Sequence, residues 1–319
     1  DAPPGVLNLV QGAADVASRL VTHDELDGIL FTGSWPVGRR IMEANLDRPG
    51  RILALEMGGN NAAVIMPDAD LRQAVIECVR CAFLTTGQRC TCTRRVVVHE
   101  AVADRVIPAI AKAATNLIVG APDASHPVFM GPLVSRQARQ MVLDAQRDMR
   151  RAGGESLVEC AGVGAGGAGA GSGEGWYCYP GVMRGERFVR GGDVATLGAG
   201  ADVEVFGPLL RVSVARDATD AIEQANATDY GLAASIFTKD AGLVERFLGE
   251  ARAGCVNVNT GTAGASSKLP FGGLGLSGNH RPAGAFSLDY CAYPVAGMLE
   301  RGPAAQVPAG MRFEDGWLA

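Results

Sequence analysis

A predominantly parallel α/β fold, built from βαβ units, is what this sequence predicts, and three observations carry that reading. Short apolar runs alternate with longer amphipathic stretches along most of the chain, as strands alternate with helices. The apolar runs are continuous rather than interrupted at every second residue, which is expected of strands covered on both faces. The 319 residues are 47% hydrophobic and 20% charged, a balance that suits one large or two modest packed domains.

The elements follow in order. GVLNLV (residues 5–10) and GILFT (28–32) read as buried strands, with an amphipathic helix at 13–21 between them. A second helix at 37–46 and a strand at 51–57, RILALEM, complete a parallel βαβ series. The chain opens DAPPGVLNLV, and a doubly wound sheet would need further strands before it, so an upstream part is expected to be missing. AAVIM (62–66) is a further strand, and Asp70 is suited to cap a helix over 71–84 whose positions Leu71, Val75, Cys78, Val79, Ala82 and Phe83 are apolar. RRVVVHE is a strand, 101–117 and 135–151 are helices, and α/β patterning continues through 221–226 and 241–251. AGVGAGGAGAGSGEG (161–175) breaks the pattern. Its glycine density predicts a flexible loop insertion, and its chance GxGxxG match has no helix behind it.

A net charge of −5 offers no footprint for nucleic acid or for an anionic membrane surface, and no apolar run reaches membrane-spanning length. The spacings Cys78-x-x-Cys81 and Cys90-x-Cys92 look like half of a metal site, but no second pair with matching histidines follows, so no metal is expected. His23, His99, His126 and His280 show no convergent spacing. The eight cysteines read as buried thiols plus one reactive thiol, which suits a reducing compartment such as the cytoplasm.

Two residues stand out chemically. Cys90 follows Gly87-Gln88-Arg89 in a loop just past an apolar helix, where a thiol has small and polar neighbours and Arg89 could lend a positive field. Taken alone it reads more readily as a buried structural cysteine. Glu56 ends an apolar strand directly before Met57-Gly58-Gly59, a place where a carboxylate can activate water because the glycines admit close backbone approach. Taken alone it is a solvated strand-end glutamate. Gly33-Ser34 opens a helix with Pro36 in its first turn, so N–H groups and the positive dipole end face any pyrophosphate there. EVFGP (204–208) reads, on its residues, as a strand ending in a turn.

FTGS (31–34), LEMGG (55–59), GQRC (87–90), EVFGP (204–208) and PFGG (270–273) together resemble, in order and over nearly the whole chain, the signature series of the NAD(P)-dependent aldehyde dehydrogenase superfamily. The longer strings LALEMGGNN, GQRCTCTRR and SGNHRP with DYCAYP resemble its branch of N-succinylglutamate 5-semialdehyde dehydrogenases of arginine catabolism. The resemblance implies a partial Rossmann-type cofactor domain over 1–58, an α/β catalytic domain over 59–272 and a C-terminal return and oligomerisation segment over 273–319. It implies that Cys90 attacks the aldehyde and Glu56 activates the water that opens the thioester. The oxyanion would be held by the Cys90 N–H and an asparagine from upstream of this chain. Gly33, Ser34 and Gly38 would serve the cofactor, with Glu204 on the nicotinamide ribose and Phe206 near its ring; the cofactor would be NAD, with NADP open. The loop 259–273 resembles one that grips a substrate carboxylate, with Gly264, Ala265 and Ser266 as candidates. Arg281 suits a second carboxylate of a semialdehyde substrate, or an ordinary surface ion pair. The stretch 287–299 would be an extended segment pairing across subunits of a homo-oligomer. Two other readings stand beside this one: a cofactor-independent Cys/Glu esterase, and a non-catalytic remnant that only oligomerises.

Overall fold

In the computed structural model, which describes residues 2–163, 175–279, 282–292, 294–302 and 305–319, the apolar runs pair into a two-stranded and a seven-stranded sheet. The smaller is formed by β1 (Gly28–Thr32) and β2 (Ile52–Glu56), parallel and in a register that sets Thr32 opposite Glu56. Helices α1 (Ala14–Val21) and α2 (Trp35–Glu43) accompany them. Ile29, Ile41, Leu55 and Met57 make the small core of this unit.

The larger sheet contains β3 (Ala62–Ile65), β4 (Arg95–His99), β5 (Glu155–Val158), β6 (Gly181–Arg184), β7 (Leu209–Ala215), β8 (Ala233–Phe237) and β9 (Cys255–Val258), in the order β5-β6-β7-β4-β3-β8-β9. Only the β5–β6 pairing is antiparallel. Helices α3 (Leu71–Phe83), α4 (Glu100–Thr115), α5 (Arg136–Arg151), α6 (Val194–Leu197), α7 (Ala218–Ala225) and α8 (Ala241–Glu250) supply the crossovers and cover its faces. Alternate strand residues divide between the two layers, as the period of two requires. Ala63, Ile65, Val96 and Val98 pack with α3 and α4, while Ala62, Val64 and Val97 pack with α7 and α8. This is why β3 and β8 are buried at every position and read as unbroken apolar runs. Asp70 caps α3, its Oδ1 accepting from Gln73 N–H at 3.0 Å. A short antiparallel pair, β10 (Pro270–Phe271) with β11 (Ala283–Gly284), follows the sheet.

The structure corrects three sequence expectations. Residues 5–10 form no strand: Val6, Leu7, Leu9 and Val10 are exposed, because no described strand lies beside them to take their hydrogen bonds. EVFGP does not end a strand but is the irregular lead into β7, held by buried side chains instead of a ladder. Residues 287–291 belong to a 3-10 turn (Ala285–Cys291) instead of an extended segment, and the described residues after it are irregular. Most of the predicted insertion (164–174), and Arg281, lie outside the described residues. No described helix is long and apolar enough to cross a membrane.

Candidate active site

Cys90 sits where α3 can no longer continue. Past Phe83 the chain turns through Thr85 and Thr86 at φ +54 and +56, then Gly87 at φ +70. Positive φ is unfavourable for a β-branched residue, so this turn is strained and is held by its contacts. Thr86 Oγ1 donates to Gly131 O at 2.9 Å, and Arg89 Nε donates to Thr85 Oγ1 at 2.8 Å. Gly87 is required twice over: its φ favours glycine, and a Cβ there would lie 2.2 Å from Gly207 O.

The loop carrying Cys90 is tied down by three side chains that sequence reasoning did not single out. Asn61, at the mouth of β3, donates to Cys90 O at 2.7 Å and Cys92 O at 2.8 Å, and its Oδ1 accepts from Ala233 N–H at 2.9 Å. Arg94 is buried and donates through Nη1 to Gly87 O at 2.6 Å and Gly207 O at 3.3 Å, and through Nη2 to Arg89 O at 2.9 Å. Thr262 Oγ1 donates to Thr91 O at 2.7 Å. The available signal was polar residues heading otherwise apolar strands, Asn60-Asn61 before β3 and Arg94-Arg95 at β4, which are tolerated in a core only if hydrogen-bonded.

Glu56 stands at the end of β2 and is 5% exposed. Its backbone is bracketed by the chain's later part: Glu56 bridges Gly278, Met57 N–H donates to Ser277 O at 3.0 Å, and Asn279 clamps β2 through Leu55 N and Leu53 O. The carboxylate is close enough to Cys90 to bear on its titration. Burial pushes the Cys90 thiol above its ordinary pKa, and the Glu56 charge pushes it the same way, while the N–H groups of Thr91 and Cys90 itself work against them. Arg89, bonded to Thr85 and exposed, is not among the principal influences on that thiol.

Glu204 and Phe206 flank the same place from the β7 side. Glu204 Oε1 accepts from Gly59 N–H at 3.0 Å, and a Cβ on Gly58 would fall 1.9 Å from Glu204 Oε2, so only glycine allows this approach. Burial raises the Glu204 pKa, opposed by the Arg94 charge and the Gly59 N–H. Phe206 is 42% exposed, unusual for so large an apolar side chain, and the Arg94 guanidinium lies 5.2 Å from its ring centroid. Arg211 underpins this stretch, donating to Ala201 O at 2.5 Å, Val203 O at 2.7 Å and Asn60 Oδ1 at 2.6 Å.

The remaining predicted residues distribute as follows. Gly33 and Ser34 lie exposed between β1 and α2, with Ser34 as N-cap residue making no side-chain capping bond. Gly38 is buried, and a Cβ on it would meet Met57 Sδ at 2.3 Å, so it lets α2 pack against the residue after Glu56. Gly264, Ala265 and Ser266 are exposed in a loop that Thr262 anchors to the backbone beside Cys90. Among the described residues no cluster of three His, Cys, Asp or Glu side chains is arranged to hold a metal ion.

Comparison with known proteins gives a consistent picture. Residues 1–294 match the model of the Aldehyde dehydrogenase family. The chain is 43% identical over 308 residues to an N-succinylglutamate 5-semialdehyde dehydrogenase of Hahella chejuensis, covering 96% of this chain and 59% of that protein. The chain thus spans about three fifths of the length of this curated relative. Its fold is similar to a Mycobacterium tuberculosis aldehyde dehydrogenase complexed with NAD+, with a TM-score of 0.77 at 27% identity, covering 88% of this chain and 54% of that one. It is similar also to glyceraldehyde-3-phosphate dehydrogenase from Methanocaldococcus jannaschii complexed with NADP, with a TM-score of 0.74 at 29% identity, covering 87% and 56%.

Proposed function

This chain belongs to the aldehyde dehydrogenase family, and on that premise we propose that Cys90 is the nucleophile of an aldehyde oxidation in which Glu56 is the general base. The observation that carries the proposal is the convergence of the half-buried Cys90 with the buried end of β2 that bears Glu56: a Cβ on Gly59 would lie 2.9 Å from Cys90 O, and Asn61 donates to the same oxygen at 2.7 Å. Cys90 Sγ attacks the aldehyde carbon and a C–S bond forms. The carbonyl oxygen becomes an oxyanion, for which the Cys90 N–H is the donor in this chain, beside an asparagine from upstream of it. A nicotinamide cofactor, when bound, accepts the hydride that leaves the former carbonyl carbon. Glu56 then takes a proton from the water that opens the thioester, releasing carboxylate and the Cys90 thiol.

The residues present fit such a cofactor. Ser34 heads α2 without spending its hydroxyl on a cap, and Phe206 keeps an open aromatic face. Glu204 and Gly38 stand on either side of the Met57-Gly58 turn. In this reading Gly33, Ser34 and Gly38 border the pyrophosphate, Glu204 the ribose and Phe206 the nicotinamide. Solved structures similar to this one carry NAD+ or NADP, and NAD is our assignment.

For the whole protein we assign N-succinylglutamate 5-semialdehyde as the aldehyde, supported by the 43% identity to a dehydrogenase of that name. Gly264, Ala265 and Ser266 would offer N–H groups to one carboxylate and Arg281 a guanidinium to another. Domains at 1–58, 59–272 and 273–319, a homo-oligomer and a cytoplasmic site complete the reading. The test is NADH formation by the full-length protein with this semialdehyde, beside Cys90→Ser. Signal lost in the variant is the expected result. Ester cleavage that needs Cys90, with no NADH formed, would instead make the protein a hydrolase and sink the proposal.

A further inference from the structure

We propose that Cys160 and Cys178 form a reversible, peroxide-oxidised disulfide across the antiparallel pairing of 161–163 with 177–179. Their Sγ atoms lie 2.9 Å apart, although they are 18 positions apart in sequence and both buried. The approach is built into the backbone. Gly162 bridges Cys178 antiparallel, Val163 N–H donates to Tyr177 O at 3.1 Å, and Tyr179 N–H donates to Ala161 O at 2.8 Å. Cys160 is therefore the diagonal cross-strand neighbour of Cys178. It is further pinned by Gln146, whose Oε1 accepts from Cys160 N–H at 2.6 Å and whose Nε2 donates to Cys160 O at 3.0 Å. Closing an S–S bond needs sulfurs already near each other, and this pair meets that condition before any bond forms.

The chemistry is unequal at the two sulfurs. One S–H···S hydrogen bond joins them, for which either sulfur can be the donor, and the Arg139 guanidinium, stacked 5.1 Å from the Trp176 ring centroid, adds a positive charge on the Cys178 side. That charge favours the Cys178 thiolate, the form that attacks peroxides. Cys160 borders a surface cleft of about 570 Å³, which also reaches Gln146, Arg147 and Glu159, so a molecule the size of hydrogen peroxide can come up to the pair from the Cys160 side. In the first step Cys178 Sγ attacks one peroxide oxygen, the O–O bond breaks, and a sulfenic acid and one water result. In the second, Cys160 Sγ attacks Cys178 Sγ, the S–S bond forms, the S–O bond breaks, and hydroxide leaves as water with the Cys160 proton. The pair loses two electrons and the peroxide gains them; a reduced thiol reverses the bond. Neither sulfur belongs to the Cys90 site, so the inference does not depend on the proposed dehydrogenase activity.

The experiment uses the folded chain without substrate or cofactor. After exposure to hydrogen peroxide it is unfolded in the presence of N-ethylmaleimide and digested with trypsin. No Lys or Arg lies between Arg151 and Arg184, so both cysteines fall in the single peptide 152–184. The expected product is that peptide free of maleimide, lighter than the dithiol by two hydrogen atoms, and doubly labelled if dithiothreitol precedes the maleimide. A doubly labelled peptide after peroxide alone overturns the proposal. So does sulfinic acid on either cysteine in place of the cross-link, or a bridge from either to another peptide. In Cys178→Ser, Cys160 should remain a labelled thiol at peroxide doses that close the native pair; its equally fast oxidation would overturn Cys178 as the attacking sulfur.

Discussion

At the residue scale, the two central side chains have opposed needs that their surroundings meet. Cys90 is held as a thiol by burial and by the negative charge of Glu56, yet the Thr91 and Cys90 N–H groups are placed to stabilise negative charge at the sulfur. Because its pKa is raised, the thiolate fraction is small at neutral pH and grows as pH climbs. Labelling of Cys90 by iodoacetamide should therefore reach half its maximum rate above the ordinary thiol value of about 8.5. In Glu56→Gln the negative neighbour is gone, so that midpoint should move to lower pH; a midpoint that stays or rises would detach Glu56 from the thiol. The same substitution tests the base role in the full-length enzyme. Steady-state turnover should fall about 100-fold or more, while the first-turnover burst of NADH persists, since only thioester hydrolysis loses its base. Loss of burst and steady state in equal measure would reject that division of labour.

At the element scale, helix ends decide where the chemistry sits. Asp70 starts α3 with a side-chain bond to Gln73 N–H, and the turn after Phe83 ends it. Asp70→Ala should cost about 1 kcal/mol in urea unfolding and leave Cys90 labelling unchanged, because the cap lies at the end remote from the thiol. Gly87→Ala should behave in the opposite way. Its added Cβ meets Gly207 O at 2.2 Å and its φ of +70 is unfavourable for alanine, so the loop bearing Cys90 and the stretch bearing Glu204 must separate. Activity of the full-length protein should drop by more than the loss of stability accounts for, as shown by assays on the still-folded variant.

At the scale of the whole molecule, the site is assembled where two sheets and the late segment around Asn279 meet. β2 delivers Glu56, the turn beyond α3 delivers Cys90, and the approach to β7 delivers Glu204 and Phe206. Buried arginines join these pieces. Arg211→Met would leave Ala201 O, Val203 O and Asn60 Oδ1 without their donor, at a cost of roughly 3 kcal/mol or more by urea unfolding. Since Arg211 holds the stretch that carries Glu204, KM for the nicotinamide cofactor should rise in the full-length variant. An unchanged KM beside reduced stability would confine Arg211 to the core.

The sequence by itself determined the α/β class, the helices α1 to α5 that periodicity and caps announce, and the candidacy of Cys90 and Glu56; α6 had no signal in it. These rest on local physics: continuous apolar runs mark doubly covered strands, and an aspartate before an apolar period marks a helix start. It misjudged residues 5–10 and 204–208 as strand and 287–291 as extended, because a local pattern does not reveal whether a neighbour lies alongside to pair with it. Only the tertiary structure decided that Asn61, Arg94 and Asn279 hold the site, that Arg89 bonds to Thr85, and that Cys160 touches Cys178. Those facts join residues distant in the chain, so they become visible only when the backbone brings the partners together.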